Sequence, residues 1–215
     1  MFSISAAAVG SLFAVGTASA DFQDLTLEVV DNGGLVAGTT YDLYANVDAG
    51  GRVDAVYGDG ANALSISVNG GSFVQNAMGG NTSMNINPIF VSMFPSLAYD
   101  SFVTIGLLDN DGASNALNDI GIDFTDFAAG GTLSTDNGTW FVTPDDVQGD
   151  ESGGRVLLGR FTIDGGTLEG SVNLQGRDVN GTVWNADGVA FGAIPAPGAL
   201  ALLGLAGLAT RRRRK

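Results

Sequence analysis

The chain has 215 residues, a formal net charge of −14 at pH 7, and neither cysteine nor histidine. The missing side chains exclude disulfides, thiolate or imidazole metal sites, and every nucleophilic dyad or triad that needs Cys or His. The negative charge excludes nucleic acid as a partner, because an acidic surface repels the phosphate backbone.

Residues 1–20, MFSISAAAVGSLFAVGTASA, have the pattern of a secretion signal. The apolar stretch over residues 4–15 has about the length of a signal-peptide core and is too short to span a bilayer comfortably. Ala18 and Ala20 supply the small residues that signal peptidase requires, and polar sequence starts at Asp21. We therefore expect Sec-type export and cleavage after Ala20; a buried N-terminal helix is the alternative.

Residues 21–188 contain no linker, charge block or periodic repeat, which indicates one domain. Glycine pairs and Asn-Gly or Asp-Gly dipeptides recur along it, and these residues favour tight turns because they reach positive φ at low cost. Between the turns, apolar residues alternate with polar ones, as they do at Leu64, Ile66 and Val68. This period of two is typical of strands with one buried face.

The alternation predicts an all-β fold, an antiparallel β-sandwich of about eight to twelve strands with an Ig-like or jelly-roll-like arrangement. Residues 155–164 and 167–178 flank Gly165 and Gly166 and are predicted to form one long hairpin. Residues 84–97 are the part of the domain where we expect a turn or two of helix.

The best candidate metal site in the sequence is Asp109-Asn110-Asp111-Gly112. Carboxylates two residues apart, as at Asp109 and Asp111, occur in Ca²⁺-binding loops. Ala113 stands at the third ligand position of such a loop, and Ile120 stands where a closing Glu is needed. A turn with solvated aspartates is the alternative, so Ca²⁺ is the one cofactor under consideration.

Trp140 and Trp184 are candidate platforms for stacking a sugar ring, since an aromatic face suits the apolar side of a pyranose. Both lie in strand-like sequence, so packing in the protein core is the competing role. Paired carboxylates such as Asp145 and Asp146 do not indicate a catalytic site, because nothing in the sequence marks either residue as buried. We expect no enzymatic activity.

The C-terminal sequence IPAPGALALLGLAGLATRRRRK has three parts. Pro195, Ala196 and Pro197 come first, an uncharged run over residues 198–210 follows, and a basic block ends the chain; the block consists of Arg211, Arg212, Arg213, Arg214 and Lys215. Thirteen helical residues rise only about 20 Å, less than the roughly 30 Å of a hydrocarbon core. Apolar residues upstream lengthen this short transmembrane helix, so the tail is assigned to residues 189–215.

This arrangement resembles the PEP-CTERM sorting tail of exported bacterial proteins. In that family a Pro-Glu-Pro motif precedes a short transmembrane helix and an arginine cluster, and an exosortase is thought to cut near the motif. Pro195 and Pro197 correspond to the two prolines, whereas Ala196 replaces the usual glutamate. The resemblance implies processing by an exosortase-like enzyme; an anchor that is never cut is the alternative.

These features predict an exported protein that is held briefly at the inner membrane and then reaches the cell surface or the extracellular matrix. Its expected role there is structural or interactive and non-enzymatic. The alternative is a binding module that depends on carbohydrate or Ca²⁺, with surface polysaccharide as its partner.

Overall fold

The computed structural model describes residues 22–111 and 115–192. These residues form the strands β1 (Phe22–Val30), β2 (Thr39–Val47), β3 (Arg52–Gly58), β4 (Leu64–Phe73), β5 (Phe102–Val103), β6 (Asn118–Ile120), β7 (Leu133–Thr135), β8 (Gly138–Phe141), β9 (Arg155–Arg177) and β10 (Val183–Gly192). Two short helices, α1 (Pro88–Met93) and α2 (Thr125–Ala128), and 3-10 helices at Ser83–Asn85, Pro95–Tyr99 and Val147–Gly149 complete the described elements.

The 23-residue strand β9 organises the sheet. Along one edge it pairs antiparallel with β2 and then with β10. Along its other edge it pairs with β5, β4 and β3 in turn. The remaining strands extend the sheet outward, since β1 pairs with β2, β7 pairs with β4, and β8 pairs with both β3 and β6. All ten strands therefore belong to one hydrogen-bonded sheet.

A glycine cluster lies where β9 passes from β2 to β10. Gly165 and Gly166 have φ of +74° and +67°, in the left-handed region that favours glycine. Gly165 pairs with Gly71 of β4, and a Cβ on Gly166 would lie 2.4 Å from the carbonyl oxygen of Asn69. The two backbones thus meet at a distance that only glycine permits, and β9 changes direction here without leaving the sheet.

The bent sheet encloses one main hydrophobic core. Its buried side chains come from both halves of β9, including Leu158 from the first half and Leu174 from the second. The distant edges also meet, because the Phe22 ring of β1 stacks on Trp184 of β10 with centroids 5.9 Å apart. A smaller cluster of Ile86, Leu97 and Phe102 lies beneath α1.

The prediction of an antiparallel β domain is confirmed, with helical turns inside residues 84–97 as expected. The strands are joined in a single sheet, whereas a sandwich was expected to consist of two. The hairpin predicted around Gly165 and Gly166 is absent from the described sheet: the two halves of β9 pair with other strands and not with each other. Glycine pairs favour a turn and a bend equally, so the sequence pattern did not separate them.

The folded domain continues beyond the predicted boundary at residue 188. Asp187 and Gly188 form a bulge within β10, and the backbone N–H of Gly188 donates to Asn173 Oδ1 at 2.7 Å. Strand pairing then resumes as far as Gly192, and Phe191 is buried against Gly170. Residues 189–192, which the sequence assigned to the tail, therefore belong to the sheet.

Several predicted features lie outside the described residues. They are the cleavage site at Ala18, Ala20 and Asp21, the motif at Pro195, Ala196 and Pro197, and the basic block at Arg211, Arg212, Arg213, Arg214 and Lys215. Within residues 22–111 and 115–192, no helix combines the length and the apolar character that crossing a membrane requires.

Candidate functional site

The structure buries both tryptophans that were considered for sugar stacking. Trp140 is fully buried, and its Nε1–H donates to the backbone oxygen of Thr104 at 3.0 Å. Trp184 is 6% exposed and packs against Phe22 and over Gly176. Both indole rings pack in the hydrophobic core, so neither presents a ring face at the surface.

Asp109 and Asp111 lie at the surface on one loop. Asp111 is exposed, and the backbone oxygen of the half-exposed Asp109 accepts a hydrogen bond from Asn115 Nδ2 at 2.9 Å. Residues 112–114, which include the glycine of the predicted motif, lie outside the described residues. Across the described ranges, no three or more His, Cys, Asp or Glu side chains come together in a way that would hold a metal ion.

The four arginines of the domain are all paired with carboxylates. Arg160 forms a two-point contact with Asp42 at 2.7 and 2.8 Å, and both side chains are almost fully buried. Arg52 contacts Asp54 at 2.6 Å and Asp150 at 2.8 Å. Arg177 also approaches Asp54, and Arg155 pairs with Glu28. The unpaired acidic residues therefore leave the rest of the surface negative.

A groove of about 490 Å³ lies between the start of β9 and residues 146–150. Arg155 lies over the Tyr44 ring at 4.0 Å from its centroid. Burial and the neighbouring Asp42 carboxylate raise the pKa of Tyr44 above its ordinary value. Because Arg155 pairs with Glu28 and Asp150 pairs with Arg52, the charged groups of this groove already have partners in the fold.

An uncharged face covers a different part of the domain. Residues 60–99 contain no Asp, Glu, Lys or Arg, although the rest of the domain is rich in acidic residues. Of the 13 large hydrophobic side chains that are exposed among the described residues, six lie in residues 78–94: Met78, Met84, Ile89, Phe90, Met93 and Phe94. We call these six residues the apolar face. Helix α1 is its centre, and none of the helix's residues is buried.

Local interactions fix the apolar face in place. Asn87 caps α1 by accepting from the N–H of Ile89 at 2.9 Å, and Pro88 occupies the first turn, where its missing N–H costs nothing. After the helix, Arg160 Nη1 donates to the backbone oxygen of Ala98 at 2.9 Å. The Asn87 cap before α1 and the hydrogen bond from the ion-paired Arg160 after it thus fix the backbone that carries the apolar face.

Asp100 anchors the loop over residues 76–80, which carries Met78 of the apolar face. Its carboxylate accepts backbone hydrogen bonds from Asn76, Gly80 and Ser101 at 2.7 to 3.0 Å, and the residue is 1% exposed. Burial raises the pKa of Asp100 to about 6, because desolvation of the charged form outweighs the three N–H donors that lower it.

This raised pKa predicts a dependence of stability on pH. The folded protein holds the Asp100 proton more tightly than the unfolded chain, so the stabilising contribution is complete below about pH 4 and is lost as the pH rises through 6. Relative to an Asp100→Asn variant, the wild type should lose about 2 kcal/mol of unfolding free energy between pH 4 and 7. Urea unfolding of both proteins at several pH values measures the difference; a pH-independent difference would contradict the prediction.

A second groove, of about 370 Å³, opens between the turn at residues 81–85 and strand β6. We call it the amide groove. Its polar lining comes from Asn81, Thr82, Asn85, Asn118 and Asp119, and its apolar lining comes from Met84, Leu117 and Phe124. Strand β6 is the outermost strand of its part of the sheet, so the groove lies at a sheet edge.

The sequence contains a signal for the apolar face that does not take the form of a motif. A charge-free stretch of this length is conspicuous in an acidic chain, and proline, methionine and phenylalanine cluster within it. The amide groove carries no such signal. Its residues come from two segments more than thirty positions apart, and only the fold brings Asn81 close to Asp119 and Phe124.

Comparison of the chain with protein-family models, with curated proteins and with solved structures finds no match.

Proposed function

We propose that this chain is an exported, non-enzymatic component of the cell surface or the extracellular matrix. The signal pattern of residues 1–20 and the Pro195–Pro197 motif with its basic block support export and exosortase-like processing. The mass of the mature protein in each cell fraction would test this part: intact ends on a cytosolic protein would contradict it. In this proposal the folded-over sheet acts as a compact, sandwich-like support for its surface.

The observation that carries the interactive role is the apolar face. Copies of a strongly acidic domain repel one another over most of their surface, and the repulsion is weakest where charges are absent. Residues 60–99 supply such an area, and Ile89 and Met93 of α1, which are 68% and 64% exposed, supply apolar surface to bury. Exposed apolar patches of this kind mark interaction sites. The partner in this proposal is a second copy of the chain.

The Ile89→Ser/Met93→Ser variant should therefore lose self-association while keeping its fold, because both side chains lie outside the core. Sedimentation velocity over a concentration series, on protein isolated from the cell surface, measures the association. Raising the salt concentration should strengthen association of the wild type, since the Debye length falls from about 30 Å at 0.01 M to about 10 Å at 0.1 M.

A matched control removes the same kind of apolar surface elsewhere. Val29 and Val179 are each 69% exposed and lie outside residues 60–99. The Val29→Ser/Val179→Ser variant should associate as the wild type does. Equal association of all three proteins, or a single monomeric species at every concentration, would overturn the proposal.

A further inference from the structure

The amide groove has hydrogen-bonding groups that the protein itself does not use. Asp119 of β6 lines the groove and is exposed. Its carboxylate has no hydrogen-bond or ion-pair partner among the described residues, so it can accept hydrogen bonds from a ligand.

The neighbouring turn leaves further groups available. Asn85 Oδ1 accepts from both the backbone N–H and the hydroxyl of Thr82, at 3.3 and 3.1 Å. These contacts fix the Asn85 side chain and leave its Nδ2 group without a protein acceptor in the described part of the chain. Across the groove, Asn118 Nδ2 donates to the backbone oxygen of Ala116 at 2.9 Å, which holds that amide in place as well. The polar wall is thus built from fixed amides.

Phe124 supplies an apolar surface in the same groove. The ring is half-exposed, and its centroid lies 6.4 Å from that of Phe127, which is completely buried. Phe127 packs in turn against Phe73 with centroids 5.0 Å apart. The core therefore supports the Phe124 ring from behind, and a supported aromatic face suits the C–H surface of a ligand.

The charges of the groove restrict the ligand further. Asp119 is the one charged residue in the lining, and no Lys or Arg contributes to it. Asp119 repels phosphate, sulfate and uronate groups, and no cation in the lining offsets that repulsion. A ligand of this groove therefore has hydroxyl groups for the amides and Asp119, an apolar C–H face for Phe124, and no negative charge.

From this combination we propose that the amide groove binds a neutral saccharide, either one pyranose unit or the end of a longer glycan. The ring lies on Phe124, and hydroxyl groups of the sugar donate to the Asp119 carboxylate and accept from Asn85 Nδ2. The volume of about 370 Å³ lies within the range of roughly 300–1,000 Å³ of small-molecule sites. The groove shares Met84 with the apolar face, but the variants that test the two proposals leave Met84 in place, so either proposal can fail alone.

Saturation-transfer difference NMR tests the inference on the full chain in a detergent that has no sugar headgroup. The probes are glucose, galactose, mannose and their neutral oligosaccharides, with glucuronate as the charged comparison. We expect transfer to ring C–H protons of at least one neutral sugar and at least a tenfold weaker signal for glucuronate. Absence of transfer to every neutral sugar, or stronger transfer to glucuronate, would overturn the proposal.

Two variants assign the signal to the groove. Phe124→Leu removes the ring face and Asp119→Ala removes the carboxylate acceptor, and each should reduce transfer at least tenfold. Phe94→Leu is the matched control, because Phe94 is 44% exposed and does not line the groove; it should bind as the wild type does. Asp119→Ala also keeps the test decisive if Phe124→Leu unfolds, because Asp119 is exposed. Unchanged transfer in the groove variants, or an equal loss in Phe94→Leu, would overturn the site.

Discussion

Replacement of Gly166 by alanine should lower the free energy of unfolding by about 3–4 kcal/mol, out of the roughly 5–15 kcal/mol of a typical domain. Two costs add. Alanine at φ +67° costs about 1–2 kcal/mol. Its Cβ would also lie 2.4 Å from the Asn69 carbonyl oxygen, and relieving such an overlap costs about 1–3 kcal/mol more. Thermal unfolding should show a melting temperature lower by about 10 °C.

Gly153 provides a control that separates the two costs. It has the same φ of +67°, but a Cβ added there would meet no atom within 4 Å. Gly153→Ala should therefore lose only about 1 kcal/mol and about 3 °C. If the two alanine variants had equal stability, the close approach of β4 and β9 at the bend would not be a stabilising constraint of the fold.

The Arg160→Met variant should lose about 3–5 kcal/mol of unfolding free energy, because it leaves the buried Asp42 carboxylate without its cation. The hydrogen bond from Arg160 to Ala98 is lost as well, which loosens the chain beside α1. Denaturant unfolding at pH 7 measures the loss.

The Asp42→Leu/Arg160→Met double variant separates two causes of the Arg160→Met loss. One is the buried Asp42 charge left without a cation, and the other is the loss of the ion pair itself. Replacing both members of a buried ion pair by apolar side chains often changes the free energy of unfolding little. The double variant should therefore be only about 1–2 kcal/mol less stable than the wild type. A double variant that is less stable than Arg160→Met alone would show that the pair itself provides the stability.

Local pattern was enough to predict the strands of this domain. Alternation at Leu64, Ile66 and Val68 places Leu64 and Ile66 in the core, as a strand with one buried face requires. The burial of Trp140 and Trp184 also follows the preference of large aromatic side chains for packed interiors. Strand formation and burial depend mainly on residue type and on the pattern of residues close together in the chain, so the sequence alone can predict them.

The pairing of strands depends on distant residues, and the sequence did not show it. Gly165 and Gly166 allow a turn or a bend, and the choice is decided by Gly71 and Asn69, nearly a hundred residues earlier. Asp187 and Gly188 likewise form a bulge because Asn173 accepts the Gly188 N–H, whereas the dipeptide alone favours a turn. The amide groove has the same origin, since its two walls meet only through the sheet.

The position of β9 in the chain has a consequence for the order of folding. If the chain is exported as proposed, it emerges from its N-terminus, so β2 to β5 would leave the export channel before β9, with which all four pair. Contacts between distant segments form slowly, because the intervening chain must first be closed into a loop. We expect the emerging segment to stay open and threadable until residue 177 has passed, after which the sheet can close in one cooperative step.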